Sequence, residues 1–435
     1  MIIKNKKAIL LGFISSITAS VILTTSLHAD NAERQDLKTS KLEAYLKFTK
    51  IVQIIEEQYV DDINTSDIIN NALKGMLSNL DAHSSFMNAK ETKELQVQTH
   101  GEFGGLGITV GMKDGALTVI APLEGTPADK AGIKSSDIIL KINETATMGM
   151  TIDKAVSLMR GKPNTPIELT IVRKGEMKPL KIKIIRDIIE IQSVYAKTIG
   201  DDILYMRITS FDQKVVDGLQ KSIRENPNRK GYIIDLRNNP GGLLNQAIGT
   251  VDMFVDKGAI VSQKGKIPEE NLVYNATKAN TDTKTPLVVL VNGGSASASE
   301  IVSGALQDHK RAVIIGNKTF GKGSVQVVMP ISQDEALRLT IARYYLPSGR
   351  TIQAVGVTPD VEVSYGEIKK AEEGISIKER DLQKHLESEL EKVDGKKEVH
   401  EDKTNKKLIT EEQIYGDSQL KSAIDILKAL MISNR

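Results

Sequence analysis

Apolar residues recur at three- and four-residue steps through the first part of the chain and predict helices between Asp36 and about Gln96. The stripe comprises Leu42, Tyr45, Leu46, Phe48, Ile51, Ile54 and Ile55, and Ile68, Leu73 and Met76 continue it. The period then changes. A glycine-rich segment, Gly101 to Gly107, leads into alternating Ile108 and Val110, and Asp114–Gly115 marks a hairpin before the strand Leu117 to Ile120. A turn at Gly125–Thr126–Pro127 and a strand from Ile138 to Asn143 follow. Thr151 caps a short helix with Ile152, Val156 and Met159 on one face, stopped by Gly161 and Pro163. Two further strands, Ile167 to Val172 and Leu180 to Ile185, complete a compact unit. From about Ile189 to Val363 strands alternate with helices, which predicts an α/β layer domain. Its strands are Ile203–Ile208, Gly231–Leu236, Leu287–Val291, Ala312–Ile315 and Ala336–Ala342, and a helix runs from Ala298 to Asp308. Beyond Tyr365 the chain is rich in Lys and Glu, with a link around Asp394–Lys406. Leu420, Ile424, Leu427 and Leu430 then mark a terminal amphipathic helix.

Composition removes several classes of function. With 435 residues the chain is long enough for two or three domains, and its formal net charge of +2 has no basic stripe of the kind nucleic acid needs. Cysteine is absent, so disulfides, thiolate metal sites and a cysteine nucleophile are excluded. At the N-terminus Lys4, Lys6 and Lys7 precede the apolar run Ala8–Leu23, and the chain turns polar after Ala29. This is the pattern of a secretory signal cleaved after Ala29, or of an uncleaved membrane anchor. Either predicts export to the periplasm or cell envelope.

The chemistry concentrates downstream of the strand Leu287–Val291. Asn292–Gly–Gly–Ser295–Ala–Ser297–Ala298–Ser299–Glu300 places small serines on a strand-to-helix turn, which exposes a side chain and aims helix N–H groups at whatever binds there. Thr319–Phe320–Gly321–Lys322–Gly323 then returns a lysine on a glycine-flanked loop, with Gln326 shortly after. Serine and lysine suffice for nucleophilic catalysis if the amine is neutral. Burial lowers a lysine pKa by roughly 3 units, which corresponds to about 4 kcal/mol of lost solvation. Gly321 and Gly323 let the backbone approach closely, and Phe320 offers an apolar wall. Gln326 is positioned to orient the amine.

The residues alone leave Ser295, Ser297 and Ser299 open as the nucleophile, and Ser297 to Glu300 also fits a helix capping box. Asp235–Leu–Arg–Asn–Asn–Pro240–Gly241–Gly242 follows the strand 231–234 and frees N–H groups that, with Ala298, could form an oxyanion hole. Gly316 to Lys322 mimics a P-loop, but Gly323 replaces the magnesium-binding hydroxyl and a β-like stretch replaces the helix. Among the histidines, His309 reads as a helix-end residue and His83 as a turn residue, so a Ser–His–Asp triad is disfavoured.

Taken jointly, the Ser–Ala–Ser–Ala–Ser–Glu turn, the Thr–Phe–Gly–Lys–Gly loop, Leu–Arg–Asn–Asn–Pro–Gly–Gly and Tyr344–Tyr–Leu–Pro–Ser–Gly–Arg–Thr–Ile–Gln353 resemble the C-terminal processing peptidases, also called tail-specific proteases. The resemblance runs from about Tyr45 to Val363. Ala82, where relatives usually carry proline, and Ala354–Val355, in a commonly glycine-bearing stretch, depart from it. It implies a crotonase-like α/β layered protease core with an inserted PDZ domain and helical N- and C-terminal regions. Together with the patterning above, this gives boundaries of 1–29 for the signal or anchor, 30–97 for a helical region, 98–187 for the PDZ domain, 188–365 for the core and 366–435 for the charged helical tail.

By the same resemblance Ser297 is the nucleophile, Lys322 the general base and Gln326 the third member. The oxyanion hole comprises Ala298 with Gly241 or Gly242. Gly104, Gly105, Leu106, Gly107 and Ile108 would hold a substrate's terminal carboxylate and strand, and Arg160 is similar to a substrate-sensing arginine. The expected activity is endoproteolysis of proteins or peptides with free C-termini. No metal or organic cofactor, no nucleic acid and a homo-oligomer are expected, with membrane association through the N-terminal segment. The alternative is a non-enzymatic PDZ-type scaffold on a degenerate protease core. A CoA-thioester enzyme on a related fold would leave the PDZ module unexplained.

Overall fold

A computed structural model describes residues 40–279, 281–368 and 408–433. The segment read as a signal or anchor and the whole link around Asp394–Lys406 fall outside these residues. The chain divides into two compact units, one ending at Phe86 and one beginning at Met87.

In the first unit, helices span 40–58 and Thr65–Ser78, as the apolar period predicts. Asn64 caps the second, its side chain accepting the Ser66 N–H at 2.9 Å. Along the first helix Leu42, Tyr45 and Leu46 are 59%, 70% and 60% exposed.

The second unit opens with a helix, Ala89–His100, held at its start by a capping box between Asn88 and Glu91 (2.9 and 3.0 Å) and stopped by Gly101 at φ 69°. An antiparallel sheet follows in the order Ile108–Lys113, Ala116–Pro122, Ile138–Ile142, Pro166–Val172, Leu180–Ile185, which leaves Ile108–Lys113 as an edge. Asp114 and Gly115 both take positive φ, 50° and 76°, so the Asp–Gly pair makes the hairpin turn its residues demand. The helix Ile152–Met159 lies over this sheet, capped by the Thr151 hydroxyl, and buries Ala155 and Met159 against Leu117, Ile139 and Leu169.

The α/β core holds a six-stranded sheet in the order Val194–Ile199, Ile203–Ile208, Gly231–Asp235, Leu287–Val291, Val313–Gly316, Val361–Glu362, parallel except for the first pair. Its central strands are apolar on both faces because both are covered. Leu287, Val289 and Val291 pack towards the helices Val215–Glu225, Leu244–Asp252 and Ala298–Asp308. Val288 and Leu290 pack against Leu420, Ile424 and Leu427 of the terminal helix Ser418–Ser433. Five wholly buried side chains on Leu287–Val291 contribute on the order of 10 kcal/mol before chain entropy is subtracted.

A second, antiparallel sheet contains Ala259–Gly265, Leu272–Asn275, Ser324–Pro330 and Ala336–Tyr345. The P-loop mimic therefore leads into a strand, Ser324–Pro330, where a nucleotide site needs a helix.

The terminal helix is also tied to the carboxyl edge of the parallel sheet. Arg237 forks onto Asp235, whose carboxylate also accepts from Tyr205 Oη at 2.7 Å. Arg237 then reaches Asp417 at 2.9 Å and Gln419 at 3.2 Å. Gln419 in turn donates to Asn317 Oδ1 at 2.8 Å.

Candidate active site

Two loops leave the carboxyl edge side by side, after Gly231–Asp235 and after Leu287–Val291, and side-chain amides latch them together. Asn292 Oδ1 accepts from the Asn238 and Gly294 N–H groups (2.9 and 3.0 Å), and Asn292 Nδ2 donates to Asn238 Oδ1 at 2.9 Å. The outer serines act as staples. Ser295 Oγ donates to the Leu236 carbonyl at 2.8 Å, and Ser299 Oγ donates to the Asn239 carbonyl at 2.9 Å. Both residues are fully buried.

Ser297 differs. It sits half-buried at the N-terminus of the helix Ala298–Asp308 with φ 55° and ψ −110°, a conformation that costs a non-glycine residue roughly 1–3 kcal/mol. The opposite loop comes up against it. A Cβ on Gly241 would lie 2.9 Å from Ser297 Cβ and 3.1 Å from the Ala298 nitrogen, so only glycine fits. Gly242, at φ 146°, is pressed on the Phe211 carbonyl, 2.2 Å from where a Cβ would stand. One expected donor is already engaged: the Gly241 N–H donates to Asn239 Oδ1 at 2.9 Å. The Ala298 N–H lies in the first helical turn, where no intrahelical acceptor exists.

Glu300 joins the serine turn to the lysine loop. Its Oε1 accepts from Thr319 Oγ1 and the Gly321 N–H, both at 2.6 Å, and its Oε2 accepts from the Ser297 and Lys322 N–H groups, both at 2.8 Å. It is fully buried. The sequence pattern marks Glu300 only as a capping residue. The signal of a further role is a carboxylate in the first turn of a buried helix, where the dipole favours negative charge, with no lysine or arginine spaced to pair with it along the helix.

The lysine loop is fixed further by Thr319 Oγ1 accepting the Val357 N–H at 2.7 Å and by the Gly323 N–H donating to Gln353 Oε1 at 3.0 Å. Burial pushes the Lys322 amine below its ordinary pKa, the positive charge of Arg338 lowers it further, and Glu300 pulls the other way.

Two expectations change here. Phe320 is 64% exposed and does not wall the amine in. The Gln326 amide donates to Ser324 Oγ at 2.7 Å and Thr340 Oγ1 at 3.3 Å, within its own sheet. Among the described residues, the side-chain bonds between the serine turn and the lysine loop run through Glu300, and none joins the Lys322 amine to the Ser297 hydroxyl or to Gln326. Two of the histidines are engaged with backbone: His309 Nε2 is 2.7 Å from the Ala259 carbonyl, and His100 Nδ1 is 2.7 Å from that of Gln96.

The glycine-rich segment also differs from a plain loop. Glu102–Gly105 forms a strand paired with Asp187–Glu190, so Gly104 and Gly105 are ribbon residues. Gly104 touches Gly161 backbone to backbone, the Gly161 N–H donating to its carbonyl at 3.1 Å. Leu106 is buried, Gly107 turns at φ 75°, and Ile108 opens the edge strand. Arg160, at the end of the helix Ile152–Met159, stacks 4.6 Å over the Phe103 ring beside a cavity of about 310 Å³.

Residues 202–363 match peptidase family S41, residues 104–184 match the PDZ domain, and residues 14–92 match the N-terminal domain of the activating protease CtpB. A carboxy-terminal-processing protease of Bartonella bacilliformis is 43% identical over 386 residues, covering 87% of this chain and 88% of the relative. Carboxy-terminal processing protease CtpA of Bacillus subtilis is 36% identical over 327 residues, 74% of this chain and 70% of the relative. Among solved structures, the photosystem II D1 C-terminal processing protease aligns at 28% identity with a TM-score of 0.43, covering 73% of this chain and 92% of that one. With a PDZ domain in front of a core whose serine turn and lysine loop close on one buried carboxylate, the chain belongs to the carboxy-terminal processing proteases of peptidase family S41, which are serine peptidases.

Proposed function

We propose that the chain is an exported endopeptidase that reads a substrate's free C-terminus in its PDZ domain and cleaves through an acyl-enzyme on Ser297. One observation carries the mechanism: of the three serines on the turn, two spend their hydroxyls on buried backbone carbonyls, while Ser297 is strained at the helix N-terminus. Neutral Lys322 takes the Ser297 proton as Oγ attacks the scissile carbonyl. The Ala298 N–H, with that of Gly242 rather than the engaged Gly241, receives the oxyanion. Lys322 then passes the proton to the leaving amine, and water repeats the sequence on the ester. Gln326 would act in this scheme by orienting the loop through its sheet contacts. Substrate binding would bring the amine and hydroxyl into bonding range, since catalytic hydrogen bonds often tighten only in the complex.

Recognition would use the unpaired edge of Ile108–Lys113, to which a peptide adds as a strand, with the carboxylate received near Leu106–Gly107 and Arg160. Charge-assisted bonds of this kind contribute roughly 1.5–3 kcal/mol, so amidating a peptide's C-terminus should weaken its binding to the whole protein about tenfold or more. Equal affinity for acid and amide in a titration would rule out tail reading. Export rests on Lys4, Lys6 and Lys7 ahead of the apolar run at residues 8–23. Cell fractionation should recover the chain from the envelope, and recovery from the cytosol would remove this part of the reading.

A further inference from the structure

The PDZ unit is flanked by the two-stranded ribbon of Glu102–Gly105 and Asp187–Glu190, whose base is closed by the Ile191 N–H on the Gly101 carbonyl at 2.8 Å. In that ribbon Glu102 stands directly opposite Glu190. Like charges across an antiparallel pair repel. Here a cation from the core stands between them: Lys214 Nζ lies 2.9 Å from Glu102 Oε2 and 3.2 Å from Glu190 Oε1.

The residues before Lys214 hold the same ribbon from below. The Lys214 N–H donates to Asp212 Oδ1 at 2.9 Å, and Asp212 Oδ2 accepts from Ser193 Oγ, just beyond the ribbon. A Cβ on Gly101, just before the ribbon, would stand 2.3 Å from Asp212 Oδ2. The Gln213 N–H donates to the Thr99 carbonyl at 3.1 Å. In the other direction the segment reaches the reaction centre. The Phe211 N–H donates to the Gly241 carbonyl at 2.9 Å, and the Phe211 carbonyl accepts from the Leu243 N–H at 2.7 Å. Four consecutive residues, 211–214, thus bond both to the base of the PDZ ribbon and to the glycine turn against Ser297.

We propose that Lys214 is a positioning residue: it clasps the two ribbon strands through Glu102 and Glu190 and relays the seat of the PDZ unit, through Asp212 and Phe211, to the Gly241–Gly242 turn. This rests on the reading that the PDZ domain binds the substrate's C-terminus. A surface ion pair without such a role contributes little to stability and nothing to the coupling between the two sites.

The test measures kcat and KM for one peptide as free acid and as amide, on the full chain, in four forms: unmodified, Lys214→Met, Lys214→Arg, and the double variant Glu102→Gln/Glu190→Gln. The unmodified chain should favour the acid in both parameters. Lys214→Met should keep the KM advantage, because the peptide groove is untouched, and lose the kcat advantage by tenfold or more. Lys214→Arg should keep both. The double variant, which retains the lysine and removes the negative charge of its partners, should repeat the methionine result. If the unmodified chain treats acid and amide alike, the tail-reading function falls and the relay falls with it. If it discriminates, and either Lys214→Met or the double variant keeps the full kcat advantage, the clasp alone is overturned.

Discussion

Ser297→Ala and Lys322→Ala should each abolish peptide hydrolysis, by a factor on the order of 10⁴ or more, and combining them should cost little further if the two side chains act as one unit as proposed. Lys322→Arg should be equally inactive, since a guanidinium does not give up its proton in this range. Gln326→Ala loses far less, its amide being spent on Ser324 and Thr340. An active Ser297→Ala enzyme would return the nucleophile to one of the other serines. The pH profile carries the sign of the mechanism. Only the neutral amine accepts the proton, and burial with the Arg338 charge lowers the Lys322 pKa, so activity rises with pH along a limb below the ordinary lysine value of about 10.4. Arg338→Leu removes a positive neighbour and should move that limb to higher pH. The linkage has a definite direction too. A lysine whose folded pKa is depressed destabilises the fold fully below that pKa, and the penalty fades as pH rises to the unfolded value. Lys322→Met should therefore unfold at a higher temperature than the unmodified chain at neutral pH while showing no turnover. A lower unfolding temperature would mean that the amine is not held against its solvation.

Glu300→Gln should cost at least a hundredfold in kcat although the side chain keeps its shape. Four donors converge on the carboxylate. An amide offers one accepting oxygen and turns two N–H groups towards donors, which leaves two of them unsatisfied at about 1–3 kcal/mol each. Glu300→Ala strands all four and should take on the order of 4 kcal/mol or more from a fold whose whole margin is roughly 5–15 kcal/mol. The pH limb separates this from simple unfolding. Glu300 raises the Lys322 pKa, so the folded fraction of Glu300→Gln should titrate at lower pH than the unmodified chain even as its rate falls. A glutamine variant with full activity and an unmoved limb would show that the carboxylate neither positions the loop nor acts on the amine.

The elements that read most clearly from sequence are those in which one physical pattern dominates. Ile203–Ile208, Leu287–Val291 and Ala298–Asp308 form with the expected limits, because a doubly covered strand is uniformly apolar and the serine turn can only begin a helix. The hairpin of Ala259–Gly265 and Leu272–Asn275 is not legible from the sequence, since Ser262, Gln263 and Lys264 break the apolar run and the sheet gains its meaning only from the distant Ala336–Tyr345. The strand Glu102–Gly105 is not legible within its glycine-rich segment, because glycines disfavour strands in isolation and its partner lies more than eighty residues away. At the site, sequence could name the three serines but not rank them by chemistry. The carbonyls that occupy Ser295 and Ser299 come from residues 59 and 60 positions earlier. Glu300 was hidden for the same reason, because three of its four donors lie around nineteen to twenty-two residues further on. Phe320 shows the opposite case: an apolar residue near a half-buried lysine need not be what covers it.

The bonds between Arg237 and the terminal helix bear on the order in which the molecule comes into being. The parallel sheet grows largely from strands that are neighbours in sequence, and such contacts are cheap to close. The carboxyl edge is finished by a contact that spans 180 positions, from Arg237 to Asp417. Synthesis runs from the N-terminus, so a growing chain holds the serine turn, the lysine loop and the glycine turn long before it holds Asp417 and Gln419. Until then Arg237, immediately before the residues that latch the two loops, lacks partners it has in the finished fold. An edge that gains part of its anchoring only once Asp417 and Gln419 exist leaves the unfinished chain less well equipped to cut its neighbours, or itself.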